Sequence, residues 1–134
     1  MRRTALLAVV AASLAVAAAG QTPSASPGPP QPPPNMTTYY LVMLVKGPKW
    51  TPETSPALEQ LQKDHLAHLG KMAAAGQLVL AGPLTDGGTI RGLGVFKVGS
   101  AEEARALEAE DPAVKAGRLA IEVHPWMVQR GILP

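Results

Sequence analysis

The residue best suited to chemistry in this sequence is a histidine, His65, within the stretch DHLAHL at 64–69. A helix is expected here because apolar side chains recur on one side at helical spacing, at Leu58, Leu61, Leu69 and Met72. At about 100° per residue, His65 falls near the centre of that apolar stripe and His68 about 80° from it. A titratable ring is therefore predicted on the face that packs against the rest of the protein.

Spacing alone leaves two interpretations of His65. A core histidine satisfies its two ring nitrogens with backbone or side-chain partners. A general acid or base uses an imidazole that titrates near neutral pH, with a carboxylate that fixes its tautomer. The candidate carboxylates in predicted loops are Asp86 and Asp111, and spacing does not choose between them, although Asp86 also suits a hairpin turn.

A metal site built from His65, His68 and His124 is a weaker alternative. Zinc sites need a further ligand at matching spacing, often a cysteine, and this chain has no cysteine. A phosphate-binding loop is equally unsupported, because Gly92 and Gly94 lie inside a predicted strand that no helix directly follows. We therefore predict neither a metal nor a cofactor.

The first 20 residues have the order of a secretory signal sequence. Arg2 and Arg3 precede an apolar run over 5–19, and the run ends in small residues. It is shorter than the roughly 20 residues that a membrane span requires. We therefore expect residues 1–20 to be a cleaved signal peptide, with an uncleaved anchor as the alternative. A periplasmic or secreted protein, without a membrane span after cleavage, is the consequence.

Residues 21–35 contain seven of the fourteen prolines and no charged side chain, which predicts a disordered, semi-rigid linker. The domain at 36–134 is neutral, since removing Arg2 and Arg3 from the twelve Lys and Arg leaves ten, equal to the ten Asp and Glu. A neutral domain with only five aromatic residues lacks the basic surface that nucleic acids require. Nucleic acid binding is therefore not expected.

The order of predicted elements in the domain is β-α-β-β-α-β. In chain order they are a strand over 37–45, a helix that begins after Thr51 or Ser55 and ends near Ala75, strands over 77–84 and 89–98, a helix over 101–110 and a strand over 118–126. This is the split βαβ order of ferredoxin-like α+β domains. Two helices would cover one face of a four-stranded antiparallel sheet, and a second copy of the chain would cover the other.

Four segments in a fixed order over 36–127 resemble the YCII-related, or YciI-like, domain family: DHLAHL, AAAGQLVLAGPL, SAEEARALEAEDPAVKAG and EVHPW. The resemblance implies a dimeric α+β barrel, in which two ferredoxin-like subunits form a homodimer. It also implies a His-Asp active-site pair at His65 and Asp111. The family's Gly-Pro after the second strand corresponds to Gly82 and Pro83.

One position departs from the family pattern. Many members have an Arg-Pro pair before the helix histidine, where this chain has Lys63 and Asp64. Lys63 would keep the positive charge but lose the bidentate geometry of arginine. The candidate substrate-binding residues are thus His68, Gly82, Pro83 and Lys63. The expected function is a small-molecule lyase or isomerase without a cofactor, and the alternative is a non-catalytic ligand- or partner-binding module of the cell envelope.

Overall fold

The computed structural model describes residues 31–134, so the predicted signal sequence and residues 21–30 of the predicted linker lie outside the described part. The elements are β1 (Met36–Lys46), α1 (Pro56–Ala74), β2 (Leu78–Pro83), β3 (Ile90–Phe96), α2 (Ala101–Ala109), α3 (Pro112–Lys115) and β4 (Leu119–Gln129). This order confirms the predicted ferredoxin-like α+β class, with α3 as an additional short helix. No helix between residues 31 and 134 is long and apolar enough to cross a membrane.

The four strands form one antiparallel sheet in the order β2-β3-β1-β4. β1 lies inside the sheet, as its nearly unbroken apolar sequence predicts, and pairs with β4 from Met36 to Lys46. Side chains of both α1 and α2 pack into one cluster against the sheet, so the two helices cover the same face. That face holds the main core and the candidate site.

Helix α1 begins at the second of the two predicted start signals. The Ser55 hydroxyl accepts a hydrogen bond from the Leu58 N–H at 3.3 Å, and Pro56 occupies the first turn. The helix ends before Gly76, whose φ of 73° lies in the left-handed region that glycine favours. These local signals fix the start and end of α1, and with them the rotation that turns His65 inward.

Helix α2 is followed by a second, one-turn helix that the sequence analysis missed. Ser100 caps α2 as predicted, because its hydroxyl accepts a hydrogen bond from the Glu103 N–H at 3.0 Å. The Asp111-Pro112 step ends α2, but the same pair also starts α3, with Asp111 as its N-cap. Proline is unsuited to a helix interior yet well suited to a first turn, so one dipeptide both stops and starts a helix.

The main core lies between the helices and the sheet. It consists of buried apolar side chains from five elements: Val42, Leu44, Met72, Leu78, Phe96 and Ala104. The predicted inward side of β4 packs against it through Leu119, Ile121 and Val123. The alternation predicted for this last strand is therefore confirmed, and its polar residues Glu122 and His124 face away from the core.

The opposite face of the sheet is only partly covered. A smaller cluster of Tyr39, Val95 and Val128 lies there, and Leu133 from the C-terminal segment packs against it. The Tyr39 hydroxyl donates a hydrogen bond to the Pro134 carbonyl at 3.0 Å. The chain thus covers part of this face itself, and the rest of the face is where the predicted second copy would pack.

Candidate active site

A cavity of about 490 Å³ lies between α1 and the helix-covered face of the sheet. Its walls are mainly apolar and include Val42, Leu44, Leu61, Leu69 and Phe96, with Trp50 from the loop before α1. Glycines of β2 and β3, among them Gly82 and Gly92, line the sheet side. The volume lies within the range of small-molecule sites.

His65 lines this cavity and is paired with Asp111. The imidazole is 7% exposed and the aspartate 0%. Nδ1 of His65 donates a hydrogen bond to Oδ2 of Asp111, while Oδ1 of Asp111 accepts one from the Ala113 N–H at 2.7 Å. The first turn of α3 therefore fixes the carboxylate, and the carboxylate fixes the ring.

The pairing shifts the pKa values of both groups. The hydrogen bond to Asp111 raises the pKa of His65 above 6.5, with help from the charge of Asp111 and against the effect of burial. Burial alone raises the pKa of Asp111. The hydrogen bonds from His65 and the Ala113 N–H outweigh it and bring that pKa below 3.8. At a pH between these two pKa values, His65 is therefore an imidazolium and Asp111 a carboxylate.

The other candidate carboxylate, Asp86, has a local role. Its Oδ1 accepts a hydrogen bond from the Gly88 N–H at 2.9 Å, within the connection between β2 and β3. Gly87 adopts a φ of 74° in the same turn. The structure therefore pairs His65 with Asp111 and leaves Asp86 to shape the hairpin.

The candidate substrate-binding residues fall into two groups. Gly82 and Pro83 line the cavity. His68 does not, and its Nε2 donates a hydrogen bond to the Leu107 carbonyl at 3.0 Å. Lys63 is exposed on α1 and is not part of the lining.

The three histidines lie apart from one another. His65 faces the cavity, His68 contacts α2, and His124 is exposed on the uncovered face of the sheet. Across residues 31–134, no three His, Cys, Asp or Glu side chains lie close enough together to hold a metal ion.

Glu108 of α2 is a cavity residue that the sequence analysis missed. It is 1% exposed, and neither carboxyl oxygen has a hydrogen-bond partner in the described part of the chain. Burial, and next the charge of Asp111, raise the pKa of Glu108 to about 7. A signal was present in the sequence, because Glu108 follows Ala104 by four residues and so lies on the apolar side of its helix.

Arg118, the residue before β4, is the second missed cavity residue. Its Nη1 is buried without a hydrogen-bond partner among residues 31–134. Its Cζ lies 5.9 Å from the centroid of the Trp50 ring, within reach of a cation–π interaction. Arg91 of β3 also lines the cavity and donates a hydrogen bond from Nη1 to the Gly88 carbonyl at 3.4 Å. The sequence carries no clear signal for Arg118, because it lies at the junction of a turn and a strand.

The sequence profile of the YCII-related domain matches residues 39–127. The chain belongs to the YCII-related domain family. The matched region contains all four strands in whole or in large part, both residues of the His65–Asp111 pair, and the cavity residues Glu108 and Arg118. No curated protein is significantly similar to the chain.

Among solved structures, this YCII-related domain is similar to 5-chloro-2-hydroxyhydroquinone dehydrochlorinase from Burkholderia phenoliruptrix, in its complex with 2,5-dihydroxybenzoquinone. The sequences are 22% identical, the TM-score is 0.50, and the match covers 66% of this chain and 92% of the other. At this identity the similarity shows the fold, which is that of a ferredoxin-like α+β domain.

Proposed function

We propose that this YCII-related protein is a cofactor-independent enzyme of the lyase or isomerase type, acting on a small molecule in the cavity beside α1. The observation that carries the proposal is the hydrogen bond between His65 and a fully buried Asp111 at the cavity wall. A core histidine needs no such cavity. A proton-transfer residue needs both the cavity and the oriented ring.

The two residues take different roles. Asp111 holds the proton on Nδ1 and stabilises the charged ring, as a buried carboxylate does in other histidine sites. Nε2, which makes no hydrogen bond within residues 31–134, exchanges the proton with the ligand. Below its raised pKa, His65 carries a proton to donate, and above that pKa it accepts one.

The solved relative supports the choice of reaction type. It is named as a dehydrochlorinase, which is a lyase-type enzyme, and its structure holds a small ring compound. A similar fold with an apolar cavity of small-molecule size makes hydroxylated ring compounds reasonable first substrates to test.

Dimerisation and export complete the proposal. A homodimer would bury apolar side chains on the uncovered sheet face, where Leu80 is 57% and Trp126 42% exposed. Export to the periplasm or medium rests on Arg2, Arg3 and the apolar run over 5–19. The intact mass of the exported protein tests the export proposal, since cleavage near residue 20 would remove the signal sequence.

The test of function is turnover of a panel of chlorinated and unchlorinated hydroxyhydroquinones, followed by chloride release and by deuterium incorporation from heavy water. We expect His65→Gln to lower kcat on any active substrate by about 10²-fold or more. Asp111→Asn is assayed in the same way. Its control is Asp64→Asn, because Asp64 is an exposed carboxylate on α1. Unchanged turnover by His65→Gln would contradict the proposal. Ligand binding without turnover of any panel member would favour the non-catalytic alternative.

A further inference from the structure

The charged groups of the cavity do not balance one another. Its ionisable lining consists of His65, Glu108, Arg91 and Arg118. His65 is paired with the carboxylate of Asp111, which lies behind the wall with an exposure of 0%. The ionisable lining groups outside this pair are the guanidinium groups of Arg91 and Arg118 and the carboxyl group of Glu108.

Arg118 has no anionic partner in the described chain. It forms no ion pair with a carboxylate of residues 31–134, and its buried Nη1 donates no hydrogen bond. An arginine is charged at every accessible pH, and leaving a charged donor unpaired away from water is costly. Its contact with the Trp50 ring at 5.9 Å offsets only a part of that cost.

Glu108 does not supply the missing negative charge. It forms no ion pair with either arginine, and both of its oxygens are buried without a partner in the described residues. Since burial and the charge of Asp111 raise its pKa to about 7, the carboxyl is mostly neutral below neutral pH. Under those conditions the cavity lining carries the net positive charge of Arg91 and Arg118.

The rest of the lining is largely apolar and partly aromatic, with Thr51 and Gln62 as its uncharged polar side chains. Leu61, Leu69 and Phe96 surround the space, and Trp50 closes one side. Such walls favour a ligand with an apolar ring, because burying ring surface is favourable and aromatic walls contact it well. An apolar pocket with a few polar groups is the usual form of a small-molecule site.

We propose that the cavity binds small ring compounds that carry an anionic group, a carboxylate or an ionised ring hydroxyl, and that Arg118 pairs with this group. The inference rests on the proposed function in using the same cavity, but it concerns binding and does not require turnover. Arginine suits the role because its planar fork binds a carboxylate through two parallel hydrogen bonds.

Anion binding in this cavity is coupled to proton uptake. The groups that face Glu108 are His65 from α1 and Asp111 from the start of α3, while Arg91 and Arg118 border the same space. An ionised Glu108 would repel a bound anion, so the ligand favours the protonated carboxyl. Affinity for an anion is therefore expected to fall as the pH rises above about 7, and Glu108→Gln should remove most of that fall.

The test is isothermal titration calorimetry of the full mature protein with benzoate, with 2,5-dihydroxybenzoquinone and with the neutral benzamide. We expect wild type to bind the two anions more tightly than benzamide. Arg118→Gln should weaken benzoate binding by about tenfold or more, Arg118→Lys by less, and neither should change benzamide binding. Arg105→Gln is the matched control, because Arg105 is exposed on α2.

Three results would overturn the inference: no preference for benzoate and 2,5-dihydroxybenzoquinone over benzamide, no binding of either anion, or unchanged benzoate affinity in Arg118→Gln with a wild-type melting temperature. If Arg118→Gln does not fold, Arg118→Lys replaces it in the test, because this variant keeps the positive charge and the aliphatic part of the side chain. Anion binding that depends on Arg118, without turnover of any substrate, would uphold this inference while the proposed enzyme fails. Turnover that depends on His65, together with benzoate binding that Arg118→Gln leaves unchanged, would support the proposed enzyme and overturn this inference.

Discussion

Asp111 joins two helices at the candidate site, since one of its carboxylate oxygens accepts a hydrogen bond from His65 of α1 and the other accepts one from the first turn of α3. The same residue is therefore the N-cap of α3 and the partner of the imidazole. A side chain with both tasks has little freedom to rotate. The ring of His65 is consequently held in one orientation at the cavity wall.

Removing the Asp111 carboxylate should lower the pKa of His65. In Asp111→Asn the hydrogen bond and negative charge that raise this pKa are lost, while the burial that lowers it remains. We expect the pKa of His65 to fall below its wild-type value, with the charge of Glu108 as the remaining cause that raises it. An NMR titration of the imidazole C–H signals measures it, with Asp64→Asn as the control. An unchanged His65 pKa in Asp111→Asn would show that the pair does not set the protonation of the ring.

Stability should fall as the pH rises from 5 to 8, and Glu108 should cause much of that fall. The unfolded carboxyl loses its proton near 4.5, whereas the folded one keeps it to about 7, so folding is penalised increasingly between these values. The difference corresponds to roughly 3 kcal/mol. Glu108→Gln should flatten the dependence of the free energy of unfolding on pH, as measured by urea denaturation. A slope equal to that of wild type would contradict this explanation.

His65 and Asp111 add pH dependence of their own. Because the folded pKa of His65 is raised, its stabilisation is complete below 6.5 and is lost as the pH rises through the folded value. The pKa of Asp111 is lowered, so its contribution is present above 3.8 and is lost as the pH falls through the folded value. We expect Asp111→Asn to remove the loss of stability that the lowered pKa of Asp111 causes at low pH. It should also remove most of the pH dependence of stability that the raised pKa of His65 causes. Denaturation curves at pH 3, 6 and 8 measure both.

The start of α1 can be tested with two alanine substitutions. Ser55→Ala removes the hydroxyl that accepts the Leu58 N–H and should lower the free energy of unfolding by about 1 kcal/mol. Thr51→Ala is the matched control, because Thr51 is exposed and precedes the helix by several residues. Equal losses in both variants, measured by thermal or urea unfolding, would mean that Ser55 does not determine the start of the helix.

The proposed homodimer predicts a change of mass in solution when the uncovered sheet face is charged. Leu80→Glu places a carboxylate on that face, where Leu80 pairs with Val95. We expect light scattering to show a dimer for wild type and a monomer for this variant. Ala67→Glu on the exposed side of α1 should remain dimeric. A monomeric wild type would rule out this part of the proposal.

The sequence determined the class of the fold because its signals are local. Apolar periodicity gave the four strands and two long helices, and the Ser55-Pro56 and Ser100 caps gave the helix starts within a few residues. The inward position of His65 followed from the apolar stripe of α1 alone. The one missed helix, α3, is a single turn, and so short an element has no periodicity to detect.

The surroundings of that histidine depend on the tertiary structure, although the family resemblance had already implied Asp111 as its partner. His65 and Asp111 are 46 residues apart, and no spacing rule distinguishes Asp111 from Asp86 as its partner. Glu108 and Arg118 stand out because side-chain atoms of both are buried without hydrogen-bond partners in the described residues. That burial depends on how α2 and the start of β4 pack against the rest of the domain. Sequence periodicity records which side of each element is apolar. The separations between elements, and hence the pKa values and unpaired charges of the cavity, exist only once those sides are packed together.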